Sequence, residues 1–314
     1  MPNRRAPVIT TAMTEILTAA ARERRTARIA LAALLCGALG IAFAPILVRL
    51  SELPPVATAF WRLAFAVPVL TAWMVAEARG ASAPRRPSSW SDYARLSLAG
   101  LFFAGDLSVW HWSIHYTSVA NATLLPNLAP IFVTLASWLL FGERFSRTFM
   151  AGLVLAIGGA VVLMGESLQL SPDNLLGDAL GFATSLFYAG YILSVGRLRA
   201  EFSTATIMTW SGIITALSLL VIALASGESL IAPSLYGWGV LVALALVSHA
   251  GGQSLIAYAL AHLPAAFSSV SLLFQPAAAA VLAWPLLGEP LRPIQVLGAA
   301  IILAGVFMAR RGSR

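Results

Sequence analysis

The sequence predicts an all-α, polytopic membrane protein with ten transmembrane helices in two inverted five-helix repeats. Three observations predict it. The 314 residues are 59% hydrophobic and only 11% charged, with a mean hydropathy of +0.83. That is more apolar surface than a water-soluble domain can bury. A segment from the middle of the chain returns near the C-terminus, 146 positions later. Arginine is also distributed unevenly among the segments that separate the apolar runs.

A helix needs about 20 apolar residues to cross a bilayer. Ten such runs lie at roughly 29–48, 56–76, 94–116, 118–140, 147–164, 176–196, 204–224, 238–260, 266–287 and 293–309. They are continuously apolar rather than alternating, which excludes a strand barrel. Turn-forming residues separate them, among them Pro54-Pro55, Gly142-Glu143, Ser171-Pro172-Asp173, Gly227-Glu228, Leu263-Pro264 and Gly288-Glu289-Pro290. Residues 1–28 are too long and polar for a cleaved signal peptide, so the first run is expected to stay as an anchor. Residues 10–25 read as a loosely ordered arm or, secondarily, a short interfacial helix.

The repeat is read without gaps at the 146 offset. Pro130 falls on Pro276, Trp138 on Trp284, Gly142-Glu143 on Gly288-Glu289, Gly152 on Gly298 and Gly159 on Gly305. Ala120/Ala266 and Leu140/Leu286 also match. Pro, Trp and spaced Gly are informative residues in helices, so this is an internal duplication. The expected organisation is an N-terminal arm over 1–28, a first repeat over 29–164, a second over 176–309 and a tail over 310–314.

The formal charge of +7 comes with no lysine at all. The arginines lie between apolar runs, where they orient the chain; no nucleic-acid partner is expected. With the N-terminus inside, inner segments hold 17 arginines and outer segments hold two, Arg49 and Arg292. Both termini are therefore expected in the cytoplasm of a bacterial cell, with the chain in its inner membrane. Five helices per half then place the second repeat upside down relative to the first. The single cysteine, Cys36, excludes an intrachain disulfide.

The segments GALGIAFAPILVRL, LPPVATAFWRLAFAVP, YTSVANATLLPNLAPIFVTLASWLLFGERFS and SSVSLLFQPAAAAVLAWPLLGEPL resemble those of the EamA group of the drug/metabolite transporter superfamily. The resemblance covers about residues 30–309. It implies ten helices in two inverted repeats around a central cavity, and export of small metabolites, amino acids among them. Arg62 matches the family's second-helix arginine. The second half has Ser211 or Gly212 where a matching arginine would stand, so this charge is not duplicated.

Polar groups at mid-membrane depth face a cavity or each other. Asp106, Asn127, His249 and Gln275 lie near run midpoints, with Ser185 and Tyr188 close by and Arg62 a turn outward. Asp106 reads as a proton or substrate-amine site, or as a structural partner of Arg62. Arg62 reads as a carboxylate ligand, or as a snorkelling or paired charge. Helical spacing puts Phe103, Asp106, Leu107 and Trp110 on one face, and the offset maps these to His249, Gly252, Gln253 and Ile256. His111 and His115 fall on another face. The expected cavity set is Arg62, Asp106, Trp110, Asn127, Tyr188, His249, Gln253 and Gln275. The expected hinges are Pro126, Pro130, Gly251, Gly252 and Pro276.

Aromatics such as Tyr191, Trp112, Trp210 and Tyr258 read as cavity lining or packing, and Trp61, Trp73, Trp90 and Trp238 as interfacial anchors. Ser268 and Ser271 share a face with Gln275, or bond their own helix. Gly152/Gly159 and Gly298/Gly305 suggest close packing within the bundle or in a homodimer. Glu143 and Glu289 are expected near the starts of the helices that follow them. Enzyme signatures, metal spacings and cofactor motifs are not found. The leading expectation is a secondary transporter of small amphipathic metabolites in the lipid bilayer. The alternatives are a membrane-embedded enzyme or lipid-handling protein, and a non-transporting partner or sensor.

Overall fold

The computed structural model describes residues 6–80, 84–117, 122, 124–165, 171–288 and 291–313; the side chains of 6–20, 114 and 115 are outside the description. Among the described residues the regular structure is helical throughout. α1 spans Ala6–Ala42 and resumes as Ala44–Leu50. α2 is Pro55–Glu77 and α3 is Trp90–Tyr116. α4 covers Leu125–Phe141, its first turn tightened to 3₁₀. α5 is Arg147–Met164, α6 Leu175–Leu198 and α7 Thr204–Ala225. α8 covers Leu235–Ala259, α9 Ala265–Leu287 and α10 Pro293–Gly312. Eight of these helices are long and apolar enough to cross a membrane. α4 is shorter, and α3 is long enough but diluted by Asp106, His111 and its aromatic amphiphiles.

Three local differences from the sequence reading have physical causes. The segment read as a loose arm is helical from Ala6, continuous with α1. Alanine and arginine are frequent in it, beside several threonines, and a helix already nucleated in α1 extends cheaply through such residues. α1 breaks at Phe43 because Pro45 lacks the N–H that would bond the preceding turn. α8 is π-helical over Leu244–Gln253, a stretch that includes the expected hinges Gly251 and Gly252. α9 is likewise interrupted at Leu273, near Pro276.

α5 and α10 show how the halves are related. A Cβ on Gly159 would lie 2.6 Å from Ile302 N, and one on Gly305 would lie 2.7 Å from Ala156 Cα. Gly152 meets Ala309 and Gly298 meets Leu163 just as closely. The facing numbers rise on one helix and fall on the other, so the pair is antiparallel. Shifting both members by the 146 offset turns the Gly152–Ala309 contact into Leu163–Gly298, and Gly159–Ile302 into Ala156–Gly305. Contacts that exchange in this way define a pseudo-two-fold axis. For antiparallel helices the axis lies across them, which is the geometry of an inverted repeat. The glycine faces are used inside the chain, so a homodimer would need another surface. Both Gly142 and Gly288 close their helices in the left-handed region, at φ 67° and 70°. Ser146 caps α5 through Phe149 N (3.1 Å), three residues after Glu143; Glu289 and Ala120 lie outside the described residues.

Two clusters join the halves at opposite ends of the α2–α7 pair. At one end Glu228 accepts from Ala57 N (2.7 Å) at the start of α2, and Trp61 Nε1 donates to Leu230 O (2.7 Å). At the other, Arg85 and Arg95 both pair with Glu201 (2.5 and 2.6 Å), and both reach Asp92. The Arg95 guanidinium holds the Glu201 carboxyl below the usual glutamate range. A depressed carboxylate adds stability above its unfolded value of about 4.3 and loses it as pH falls through the folded value. Thermal melting in detergent is therefore expected to drop as pH falls below about 4, and Glu201→Gln should flatten that acid limb. The effect is small, because the pair is exposed and screened by salt.

Candidate functional site

A cavity of about 210 Å³ lies among α1, α2, α3, α4, α6, α8 and α9. That is smaller than the roughly 300–1,000 Å³ of drug-sized sites, so it has room only for a small molecule. It is displaced toward the face at which α1 ends and α2 and α4 begin. α1 contributes Ala42, Ala44, Pro45 and Val48 around its break. α3 contributes the face predicted by helical spacing, Phe103, Asp106, Leu107 and Trp110, together with His111.

Of the expected cavity residues, seven line this space: Arg62, Asp106, Trp110, Asn127, Tyr188, Gln253 and Gln275. Arg62 is 7% exposed. Its guanidinium sits 5.9 Å above the Phe103 ring, and its Nε has no hydrogen-bond partner. Asp106, one turn along α3 from Phe103, faces the same space. Arg62 and Asp106 make no direct ion-pair contact within 4 Å, but they face each other across the cavity at a range where each charge acts on the other. Gln275 lies beside the Tyr188 hydroxyl, with its buried Nε2 unpartnered. Trp110 is fixed by donation from Nε1 to Ala122 O (2.9 Å).

His249 is not in the cavity wall. It is 1% exposed, packs on Phe103 with ring centroids 5.5 Å apart, and neither ring nitrogen has a hydrogen-bond partner. From α8, Leu244 and Gln253 line the space instead. Nine residues at 3.6 per turn would point these two to opposite sides; the wider π turn brings them together. Pro126 and Pro276 line the cavity, while Pro130 is buried at the start of α4. Gly252 is a packing point: a Cβ there would lie 3.0 Å from Gly37 O and from Ile41 N. Gly251 contacts only its own helix at that range, through Leu246 O at 3.1 Å.

Tyr191 stacks on Phe103 (4.6 Å) and bonds Met208 Sδ rather than facing the space. Trp210 packs on Tyr93 and Tyr258 on His262. Ser185 and Ser271 bond their own helices. His111, expected on another face, does line the cavity, and its Nδ1 lies 2.5 Å from Leu107 O. Helix 1 was expected in the wall, along with helices 2–4 and 6–9, but its residues Ala42, Ala44, Pro45 and Val48, and Thr184 of α6, were not singled out from the sequence, although Pro45 was a visible signal for the α1 break.

Chemically the site offers a guanidinium edge and a carboxylate in one small space with mostly apolar walls, with amides from Asn127, Gln253 and Gln275 around them. A molecule carrying both an anionic and a cationic group complements that arrangement.

Comparison with known proteins agrees with this architecture. The model of the EamA-like transporter family matches twice, over residues 28–165 and 175–311. An uncharacterized transporter of Archaeoglobus fulgidus is 26% identical over 274 residues, 83% of this chain and 89% of that protein. The threonine/homoserine exporter RhtA of Escherichia coli (strain K12) is 32% identical over 208 residues, 65% of this chain and 67% of the exporter. A protein of known crystal structure superposes with a TM-score of 0.78 at 19% identity, over 93% of this chain and 99% of that one, which shows the shared fold.

Proposed function

The chain belongs to the EamA-like transporter family, and we propose on that premise that it is a secondary transporter exporting small zwitterionic metabolites of the amino-acid type. One observation carries the reading: Arg62 and Asp106 line one small cavity without pairing with each other. Leaving part of a buried guanidinium unsatisfied costs free energy, which a substrate carboxylate on Arg62 would recover, and a substrate ammonium would complement the Asp106 carboxylate. Similarity to a threonine/homoserine exporter supports the same substrate class. The arginine distribution supports cytoplasmic termini in a bacterial inner membrane, which would put the cavity on the outer side. Exchange between two pseudo-symmetric arrangements would open the site to either side in turn, driven by a proton or substrate gradient.

Ligand-induced thermal stabilisation of the purified protein tests the assignment. A ligand at about 100 times its Kd stabilises by about 2.7 kcal/mol. Threonine, homoserine and similarly small neutral amino acids are expected to raise the melting temperature, whereas their decarboxylated and deaminated analogues are not. Equal stabilisation by the analogues would remove the zwitterion assignment.

A further inference from the structure

We infer that His249 is a substrate-contacting residue of the opposite-facing state, in which it takes the place that Phe103 holds in the cavity seen here. The inference rests on the alternating-access reading above. It is carried by the pseudo-two-fold relation between the halves and by the burial of the residues that this relation pairs.

An inverted repeat has two equivalent ways to fold one sequence pattern: each half adopts the conformation that the other half shows. The cavity's α3 and α9 residues can therefore be followed to their mates. At the 146 offset, Phe103, Asp106, Trp110 and His111 pair with His249, Gly252, Ile256 and Ala257, and Gln275, Pro276 and Ala279 pair with Ala129, Pro130 and Val133. All seven mates are buried here and none lines the cavity. Leu107 and Gln253, also mates, both line it, as expected of residues that serve both states. On α3/α8 and α9/α4 the wall on one side thus has a packed counterpart on the other.

Among the seven packed mates only His249 has a polar side chain. It sits at the pseudo-axis, because it touches its own mate, Phe103, at 5.5 Å. Both its ring nitrogens are buried without partners, a state that disfavours this conformation. The charged group that faces it is Arg62 on α2, whose guanidinium lies 5.9 Å from the centroid of the same Phe103 ring; from α6, Tyr191 stacks on Phe103. An exchange of the two halves would bury the phenyl ring, which needs no hydrogen bond, and expose the imidazole, which does. The π-helical stretch around His249 has weaker backbone geometry than an α-helix and gives α8 a place to change register.

The test is sided transport with oriented proteoliposomes and a small neutral amino acid. His249→Phe fits the existing aromatic stack. It should leave half-saturation at the cavity face unchanged and raise it about tenfold or more at the opposite face, as loss of a buried hydrogen-bonding group does. No change at either face, or an equal change at both, overturns the inference. A wild-type protein that moves no such solute would instead sink the transporter reading, a distinguishable outcome. Labelling supplies a readout independent of turnover. In a Cys36→Ala background, His249→Cys should react with a small maleimide only under conditions that favour the opposite-facing state; inertness under all conditions overturns the inference.

Discussion

Gly159→Leu is expected to abolish stable folding, whereas Gly158→Leu, one residue earlier on the same helix, should be tolerated. A Cβ at 159 meets backbone on α10, with Ile302 N at 2.6 Å and Gly298 O at 3.0 Å. A backbone obstacle cannot rotate away, so the penalty exceeds the ~1–3 kcal/mol of ordinary overpacking. In a protein stable by only about 5–15 kcal/mol, that is a large fraction. A Cβ at 158 meets nothing within 4 Å. Leucine there also has better helix propensity than glycine, by up to ~1 kcal/mol. Gly305→Leu, which faces Ala156, should behave like Gly159→Leu because the two contacts are exchanged by the pseudo-two-fold axis. The measurement is the monodisperse yield and melting temperature in detergent. Equal behaviour of the 158 and 159 variants would contradict the α5–α10 packing.

The second large effect concerns the cavity charges. Asp106→Asn is nearly isosteric and should fold, yet transport should fall at least 30-fold. The estimate follows from the ~2–5 kcal/mol attached to truncating one partner of a buried charge pair, at 1.4 kcal/mol per tenfold. Arg62→Lys should also impair transport although the charge is kept, because an ammonium cannot present the two-pronged edge that a carboxylate matches. The melting temperature of the unliganded variants should stay near wild type, since no direct ion-pair contact joins the two side chains, which act on each other only across the cavity. Loss of substrate-induced stabilisation in both variants, with the ligand-free melting temperature kept, is the pattern expected of binding residues. Wild-type rates in Asp106→Asn would remove that carboxylate from the site.

Much of this architecture could be read from residues whose chemistry is restrictive. Gly142 and Gly288 mark left-handed helix ends, and Gly152, Gly159, Gly298 and Gly305 mark places where backbones touch. Asp106, Arg62 and Gln275 stood out because a polar group inside an apolar run has few places to go. The features that were not legible depend on backbone choices that side-chain patterns do not encode. Leu244 and Gln253 share the cavity because α8 widens to a π turn, whereas His249, close to Gln253 on the helix in either register, is kept out of it by its packing on Phe103. Periodicity arguments assume 3.6 residues per turn throughout and say which residues share a face, not which of them a neighbouring ring covers. The particular α1 residues were not legible for a different reason: Ala42, Ala44 and Val48 are ordinary membrane residues, and only the break at Pro45 makes them a surface. His111 is likewise brought to the cavity by the neighbours that close around α3, which the face of one helix cannot reveal.

The central claim is that a small zwitterion crosses the membrane through the Arg62/Asp106 cavity. The most direct test is counterflow in proteoliposomes containing this protein alone, loaded with an unlabelled small neutral amino acid and challenged with a trace of the labelled compound outside. Transient accumulation of label by wild type, abolished by Asp106→Asn and Arg62→Ala at equal protein content, is the predicted result. Uptake no faster than in protein-free liposomes across the panel of small amino acids, or equal uptake by wild type and both variants, would contradict it.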